Sequence, residues 1–393
     1  MDSSLSSARK RRTAEHVLGV LTERGLTTRA ELTQLTGLSR SAVGSTVASL
    51  LEDGLILEQA PPEEEQSGPG RPATVLVPRR REGIVLALDF GHGHVAVAVA
   101  NLLGEVLADS TRLLDVDGEP KRALDIAVVM AHEALATAGH DAGDITGIAA
   151  GIPGVLDTRT RIVRGPTILS DWIGLCPEVE LSRRFGHPVA VANDADMGAR
   201  GEHTFGAARR LDDFLYIKAS HGIGAGLVLA GKTYRGSIGI AGEIGHTTLQ
   251  GATNLCRCGN RGCLETLVSV DEVRKQLSQV LPPGKLYGNH AELPTLAEIA
   301  SIPAAARVIT DAGRTIGIVL ADIVNTLNPA AIVLGGELGS AGGPFAAGVR
   351  ESIDRYALPV SAEAVTVLTS GLRPSAEILG AVATAMQQPS LAR

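Results

Sequence analysis

Aromatic side chains are scarce in this sequence. One Trp, four Tyr and five Phe make up 3% of 393 residues, so any core must be filled by Ala, Val, Leu and Ile. Cysteine is nearly absent too, with four in all, three of them in one short stretch. No secretory signal is visible, which argues against stable disulfides and for a cytoplasmic compartment. No apolar run of about 18 residues occurs, so no membrane span is expected. A large charge excess is also missing. The net charge of −7 argues against a surface that coats nucleic acid everywhere, while leaving room for one local DNA-reading face. What is ample is apolar content, 44%, enough for real cores, and length, which predicts two or three domains.

Residues 1–80 read as a separate amino-terminal module. Val17, Leu18 and Leu21 recur at helical spacing over residues 13–24, and Gly25 ends the run. Thr28-Arg-Ala-Glu31 has capping-box form and opens a second helix that Gly37 closes. Ser39 can cap a third, with Val43, Val47, Leu50 and Leu51 on its apolar face. Leu55–Glu58 and Thr74–Val77 then read as strands around a Pro/Glu/Gly loop. Three helices with a tight turn before the third, followed by a hairpin, describe a winged helix-turn-helix. Ser39, Arg40, Ser41 and Ser45 lie on the polar side of the third helix, where they can meet base edges or phosphates. Arg71 at the wing tip can reach a minor groove or phosphate. The bland alternative is a helical bundle used for protein docking, and the acidic run Glu63-Glu64-Glu65 fits DNA only if it faces away.

Residues 81–393 alternate buried-strand runs with helical patterns, an α/β body. Ile84–Asp89 leads into Phe90-Gly-His-Gly-His94 and further strands at Val95–Val99 and Val106–Asp109. Ile145–Ile152 ends in Gly151-Ile-Pro-Gly154, which is a plain turn on its own terms. Val189–Asn193 ends in Asn193-Asp194, and the carboxyl end of a strand is where α/β sheets place ligands. Asn193 can donate and accept toward one ligand hydroxyl. Phe214–Ile217 precedes a glycine-bearing turn spanning Ser220–Gly226. Cys176 stands alone and reads as a small buried apolar residue.

The densest chemistry lies in residues 243–265. Glu243-Ile-Gly-His246 is followed by Cys256-Arg-Cys258-Gly-Asn-Arg-Gly-Cys263-Leu-Glu265. Three thiols and an imidazole match the ligand taste of Zn²⁺ in a closed structural tetrahedron. His246, Cys256, Cys258 and Cys263 are the candidate ligands, and a disulfide with one spare thiol is the alternative. Such a site has no open position for a water nucleophile, so the metal shapes a loop and holds Glu243 and Glu265 on a rigid frame.

That motif, Glu-x-Gly-His then Cys-x-Cys-Gly-x-x-Gly-Cys-Leu-Glu, resembles the signature of the ROK family (repressors, open reading frames and sugar kinases). The resemblance implies an actin-like ATPase (ribonuclease H-like) two-lobed body. It places Gly154, Asn193, Asp194, Glu243, His246 and Glu265 against a sugar, with Asp194 at the position of the kinases' general base. His246 would then serve metal and sugar with its two ring nitrogens. The winged-helix order resembles the head of the family's repressors, which their kinase relatives lack. Two turns depart from the kinase pattern: Asp89-Phe-Gly-His92-Gly93 stands where Asp-x-Gly-Gly-Thr is usual, and Ser220-His221 replaces the Gly-Thr of the second phosphate loop. Gly335-Gly336 resembles the adenosine-side loop or is a packing turn.

The leading expectation is thus a sugar-responsive regulator of carbohydrate metabolism. It would bind a double-stranded operator as a homodimer or homotetramer and sense a monosaccharide or sugar phosphate in a degenerate kinase cleft. The alternatives are a glucokinase-like, ATP-dependent sugar kinase that also binds DNA, with Asp194 catalytic, and a pure interaction module. A two-fold dimer would read half-sites about 34–36 Å apart, or a multiple of that.

Overall fold

The computed structural model describes residues 13–52 apart from 15, 22, 23 and 25, then 55–60, 74–78, 83–165, 170–282, 294–373 and 375–388. Arg71, the acidic run 63–65 and the basic run 79–81 lie outside the described residues. The chain divides into two units, Met1–Glu82 and Gly83–Arg393.

In the first unit, the capping box forms as its spacing predicts. The Thr28 hydroxyl accepts from the Glu31 N–H, and the Glu31 carboxylate accepts from the Thr28 N–H at 2.7 Å. Together they open helix α1 (Arg29–Thr36). Helix α2 (Arg40–Glu52) starts behind Ser39, whose hydroxyl accepts from the Ala42 N–H at 3.3 Å. Val43, Val47 and Leu50 of α2 pack with Val17, Leu21 and Leu32. Strands β1 (Thr27–Thr28), β2 (Ile56–Gln59) and β3 (Val75–Pro78) form an antiparallel sheet in the order β1-β3-β2. Ile56 and Leu76 close the core from the sheet side.

The second unit is built on two five-stranded sheets. Strands β4 (Ile84–Phe90), β5 (His94–Asn101) and β6 (Val106–Leu113) form an antiparallel meander. Helix α3 (Pro120–Ala138) then crosses over to β7 (Ile145–Ile152), which lies parallel to β4. A short hairpin of β8 (Val155–Leu156) and β9 (Val163–Arg164) and helix α4 (Pro177–Phe185) lead to β10 (Val189–Asn193), parallel to β7. The order is β10-β7-β4-β5-β6. The residues of β4 are all buried, as a continuous apolar run covered on both faces requires.

Helix α5 (Asp194–Thr204) leads into the second sheet, which repeats the plan. Strands β11 (Phe214–Ala219), β12 (Ile223–Leu229) and β13 (Lys232–Tyr234) form the meander, and β14 (Ala331–Gly335) and β15 (Thr366–Thr369) add in parallel. The order β13-β12-β11-β14-β15 matches the first sheet strand for strand. No repeat is readable in the sequence, because a buried strand constrains apolarity and not identity. The Ser220–Gly226 stretch is shorter as a turn than expected. Only Ser220–Gly222 turns, and Gly224 and Gly226 lie within β12.

The long connection from β13 to β14 carries the cysteine loop, helix α6 (Val270–Val280) and helix α7 (Pro303–Leu327). Helix α8 (Gly343–Tyr356) packs on α7, and their apolar faces join the outer face of the second sheet. The terminal helix α9 (Ala376–Ala385) and α5 cross between the sheets. Their axes come close because glycine stands at the crossing. A Cβ on Gly380 would lie 1.7 Å from the Met197 carbonyl oxygen. Gly380→Ala is therefore expected to destabilise the body by about 2–3 kcal/mol through overpacking. Gly343→Ala, which meets nothing within 4 Å, should be near neutral. Denaturant melts of both variants check this.

Trp172, the one Trp, is fully buried and donates its indole N–H to the Val116 carbonyl at 2.7 Å. Cys176 is half-buried, not buried, because it sits at the exposed start of α4. Among the described residues no helix is long and apolar enough to cross a membrane.

Candidate functional site

Between the two sheets of the second unit lies a cavity of about 430 Å³. Gly154, Asn193, Asp194, Glu243, His246 and Glu265 all line it. They come from β-strand ends and the cysteine loop, more than a hundred residues apart in sequence, and the fold brings them to one place.

Asn193 ends β10 and caps α5. Its Oδ1 accepts from the N–H groups of Ala195 (2.8 Å) and Asp196 (3.2 Å), and its Nδ2 donates to the Gly154 carbonyl at 3.0 Å. This corrects the expectation that it both donates to and accepts from a ligand hydroxyl. Both Oδ1 lone pairs are spent on the helix, so only one amide N–H is left for a ligand. Its main work is to hold the Gly154 turn against the start of α5.

Asp194 is buried, and its Oδ2 accepts from Lys218 Nζ at 2.8 Å. Burial, together with Asp89 and Glu377 nearby, pushes its carboxyl above the usual range although Lys218 opposes the shift. Burial works against the Lys218 charge as well, yet Asp194, Asp89 and Glu377 hold its pKa above that of an ordinary lysine. Glu377 Oε1 lies 4.0 Å from the ammonium and accepts from the Tyr216 hydroxyl at 2.8 Å. Asp89 Oδ2 lies 3.3 Å from His94 Nε2. Both Asp194 oxygens are engaged, Oδ1 with the Ala195 N–H and Oδ2 with Lys218, so a substrate hydroxyl would have to compete with the buried ion pair to reach this carboxylate. Alongside Asp194, Asp196 is clamped by Arg235 at 2.6 Å.

Sequence reasoning missed Lys218 and Glu377. Each has a readable signal: a single charge inside an otherwise apolar element, Phe-Leu-Tyr-Ile-Lys-Ala for β11 and the start of α9.

Glu243 lies at the entrance to the short helical turn Ile244–His246. Burial first, then Asp194 and Glu265, push its carboxyl up to about 7. His246 turns Nδ1 toward Cys256 Sγ (3.6 Å) and Nε2 toward Glu243 Oε2 (4.0 Å). One imidazole thus faces the thiols on one side and the cavity on the other.

The ligand atoms of His246, Cys256, Cys258 and Cys263 all lie within 4.8 Å of one another. Cys258 and Cys263 Sγ are 3.6 Å apart. A tetrahedral zinc with bonds of about 2.3 Å to sulfur sets neighbouring thiolates about 3.8 Å apart, so the donor set and spacing fit such an ion. The loop is shaped by backbone bonds, Cys256 N–H to the Asn260 carbonyl (2.8 Å) and Gly259 N–H to the Cys256 carbonyl (2.9 Å). Gly262 is required here. Its φ is +75°, and a Cβ would lie 2.5 Å from the Ala252 carbonyl oxygen. Glu265 Oε1 lies 3.1 Å from Cys256 Sγ, so the cysteine cluster abuts the cavity wall.

The two turns that depart from the kinase pattern also face the cavity. His92 follows β4 and His221 follows β11, and their ring centroids are 5.0 Å apart. His221 Nδ1 pairs with Asp271 Oδ2 at 3.0 Å, and this bond raises its pKa. Burial and the neighbouring His221 lower that of His92.

The proposed DNA-facing residues lie in the first unit. Ser39, Arg40, Ser41 and Ser45 are all exposed along the first turns of α2. The Ser39 and Ser41 hydroxyls are 3.1 Å apart, and the Ser45 hydroxyl donates to the Ala42 carbonyl. Arg71 lies outside the described residues.

Comparison with known proteins gives a consistent picture. The chain is 30% identical over 352 residues to the xylose repressor of Bacillus spizizenii, covering 90% of this chain and 89% of that one. A crystal structure of a ROK family transcriptional regulator, a homolog of the Escherichia coli Mlc protein, superposes with a TM-score of 0.71 at 27% identity, covering 96% of both chains. A ROK family glucokinase from Streptomyces griseus, solved with glucose and AMPPNP, superposes with a TM-score of 0.67 at 28% identity, covering 78% of this chain and all of that one. The ROK family profile matches residues 85–388, the span of both sheets, the cavity and the cysteine loop, and the chain belongs to the ROK family.

Proposed function

We propose that the chain is a sugar-responsive, DNA-binding transcription regulator of carbohydrate metabolism. Residues 1–80 act as a winged-helix head on a double-stranded operator, and residues 81–393 sense a monosaccharide or sugar phosphate. Homology to repressors over nine-tenths of the chain supports the head as well as the body. The observation that carries the sensing role is the Lys218–Asp194 pair. The residues that the family motif places against a sugar line one cavity, which supports a sensing role, while the carboxylate at the kinase base position is tied to an internal cation. That pairing weakens the alternative of a glucokinase-like enzyme. A structural zinc on His246, Cys256, Cys258 and Cys263 would fix Glu265 and His246 at the cavity wall and supply no reaction there. A cytoplasmic homodimer or homotetramer would present paired heads to a two-fold operator.

A ligand changes DNA affinity only as far as it prefers one arrangement of head and body, and about 1–3 kcal/mol, or roughly 5- to 150-fold, is typical of such coupling. Calorimetric titration with a monosaccharide panel, with and without ATP, tests the reading. Sugar binding unchanged by ATP and without turnover is expected. Sugar-dependent ATP hydrolysis that disappears in Asp194→Asn would replace this reading with the kinase one. On the DNA side, Arg40→Ala should weaken operator binding and lower the slope of log affinity against log salt by about 0.9, the loss of one phosphate contact. An unchanged slope with relaxed sequence preference would assign Arg40 to a base edge instead.

A further inference from the structure

His92 and His221 sit in turns of different sheets, yet they meet ring to ring across the cavity, tilted 45° with centroids 5.0 Å apart. At that separation the imidazoles are in van der Waals contact, and no space remains between them for a tetrahedral phosphoryl group. Each ring is fixed differently. His221 is anchored to Asp271 in the first turn of α6. His92 Nδ1 is buried and has no hydrogen-bond partner, so that ring is held by packing.

The charge around the pair points the same way. Asp89, Asp194, Glu243, Glu265, Glu337 and Glu377 all line the cavity, against Lys218 and Arg257. Lys218 is committed to Asp194, and Glu337 is itself paired with Arg274 at 2.5 Å. A phosphate ester entering here would meet more carboxylates than cations, with Lys218 held by Asp194 and Arg257 placed 3.9 Å from Glu265. Beyond the rings, the wall that would flank a nucleotide persists: Gly336 and Glu337 line the same cavity, and the Glu337 N–H donates to Ser220 Oγ at 3.1 Å.

We propose that His92 and His221 form a plug that confines the cavity to an uncharged, monosaccharide-sized ligand and bars phosphate esters, nucleotide and sugar phosphate alike. The ligand class rests on the sugar-sensing reading above; the plug stands on its own geometry. It makes both histidines specificity-determining residues, and their removal should restore access to the nucleotide side.

Calorimetric titration of the full chain with glucose, xylose, glucose 6-phosphate and MgATP tests this, comparing wild type with His92→Thr, His221→Thr and the double variant. Wild type is expected to bind glucose or xylose at least tenfold more tightly than glucose 6-phosphate or MgATP. The double variant should gain at least tenfold in MgATP affinity, and each single variant part of that, so a double variant that fails to fold still leaves two readings. Wild-type binding of MgATP or glucose 6-phosphate as tight as that of the free sugars overturns the plug. So do folded variants whose MgATP affinity stays within twofold of wild type. If neither sugar binds but the variants gain MgATP, the plug holds and the choice of an uncharged sugar falls; if neither sugar binds and nothing is gained, both fall.

Discussion

Replacing Cys256, Cys258 and Cys263 together by serine should release one zinc per chain and weaken sugar binding by roughly 10–100-fold, the usual scale when support around a metal site is lost. The reason lies in how the loop joins the cavity. His246 reaches Cys256 with one ring nitrogen and faces Glu243 with the other, while Glu265 touches the Cys256 thiol directly. Serine hydroxyls do not replace thiolates as zinc ligands, so the turns that carry them have no ion to converge on, and Glu265 loses the frame that orients it. The remaining body should stay folded, because most of its core lies in the two sheets and the helices α7 and α8, to which the loop adds chiefly Leu264. Cys176, half-buried at the start of α4 and not in the ligand group, supplies the control: Cys176→Ser should keep both metal and sugar binding. Elemental analysis of freshly purified protein, paired with calorimetry on both variants, reads the outcome. A triple variant that retains full sugar affinity would detach the metal from the sensing role.

Lys218→Met should cost about 3–5 kcal/mol, the scale for removing one partner of a buried ion pair. The methionine keeps the stem and deletes the ammonium, leaving Asp194, Asp89 and Glu377 facing one another in a buried site. Hydrogen bonds from the Ala195 N–H to Asp194 and from Tyr216 to Glu377 remain, but they cannot neutralise three carboxylates. The pH dependence has a definite sign. In the wild type the Lys218 pKa is raised on folding, so its contribution is fully present below the ordinary lysine value and fades only at strongly alkaline pH. In the variant the Asp194 carboxyl, already raised by burial, loses the cation that opposed the rise. Protonation then relieves the strain, so the deficit should be largest at neutral pH and shrink as pH falls through that raised carboxyl value. Urea melts at neutral and mildly acidic pH measure it. A loss under 1 kcal/mol with no pH dependence would mean the three carboxylates find other partners.

Much of the architecture is legible in residue patterns that carry their own geometry. The Thr28–Glu31 spacing writes out a capping box, and Ser39 announces the start of α2. The cysteine spacing brings four ligands together because short loops between thiols leave few other conformations. That the candidate sugar-side residues share a cavity is legible only through the family motif, since nothing in the spacing of Asn193 and Glu243 says so. What stayed hidden is of two kinds. The twofold repetition of the sheet plan leaves no trace in residue identity, because β4 and β11 share an apolar character but not a residue pattern, one carrying Asp89 and the other Lys218. The partners of charged groups are set by tertiary contact. The Asn193 side-chain oxygen is engaged in capping α5, and Asp194 is paired with Lys218 from β11, the next element, and neither partner can be read from local spacing. The meeting of His92 with His221 is of the same kind: each was readable as a departure in its own turn, but their contact belongs to the fold.

The measurement that bears most directly on the account is the affinity of the full chain for DNA selected from a random duplex pool, taken at one fixed salt concentration with and without the sugar that binds it most tightly. At least a fivefold change in affinity is expected, absent in the Cys256/Cys258/Cys263 triple-serine variant. Tight sugar binding that leaves DNA affinity unchanged would contradict a cavity that governs the head.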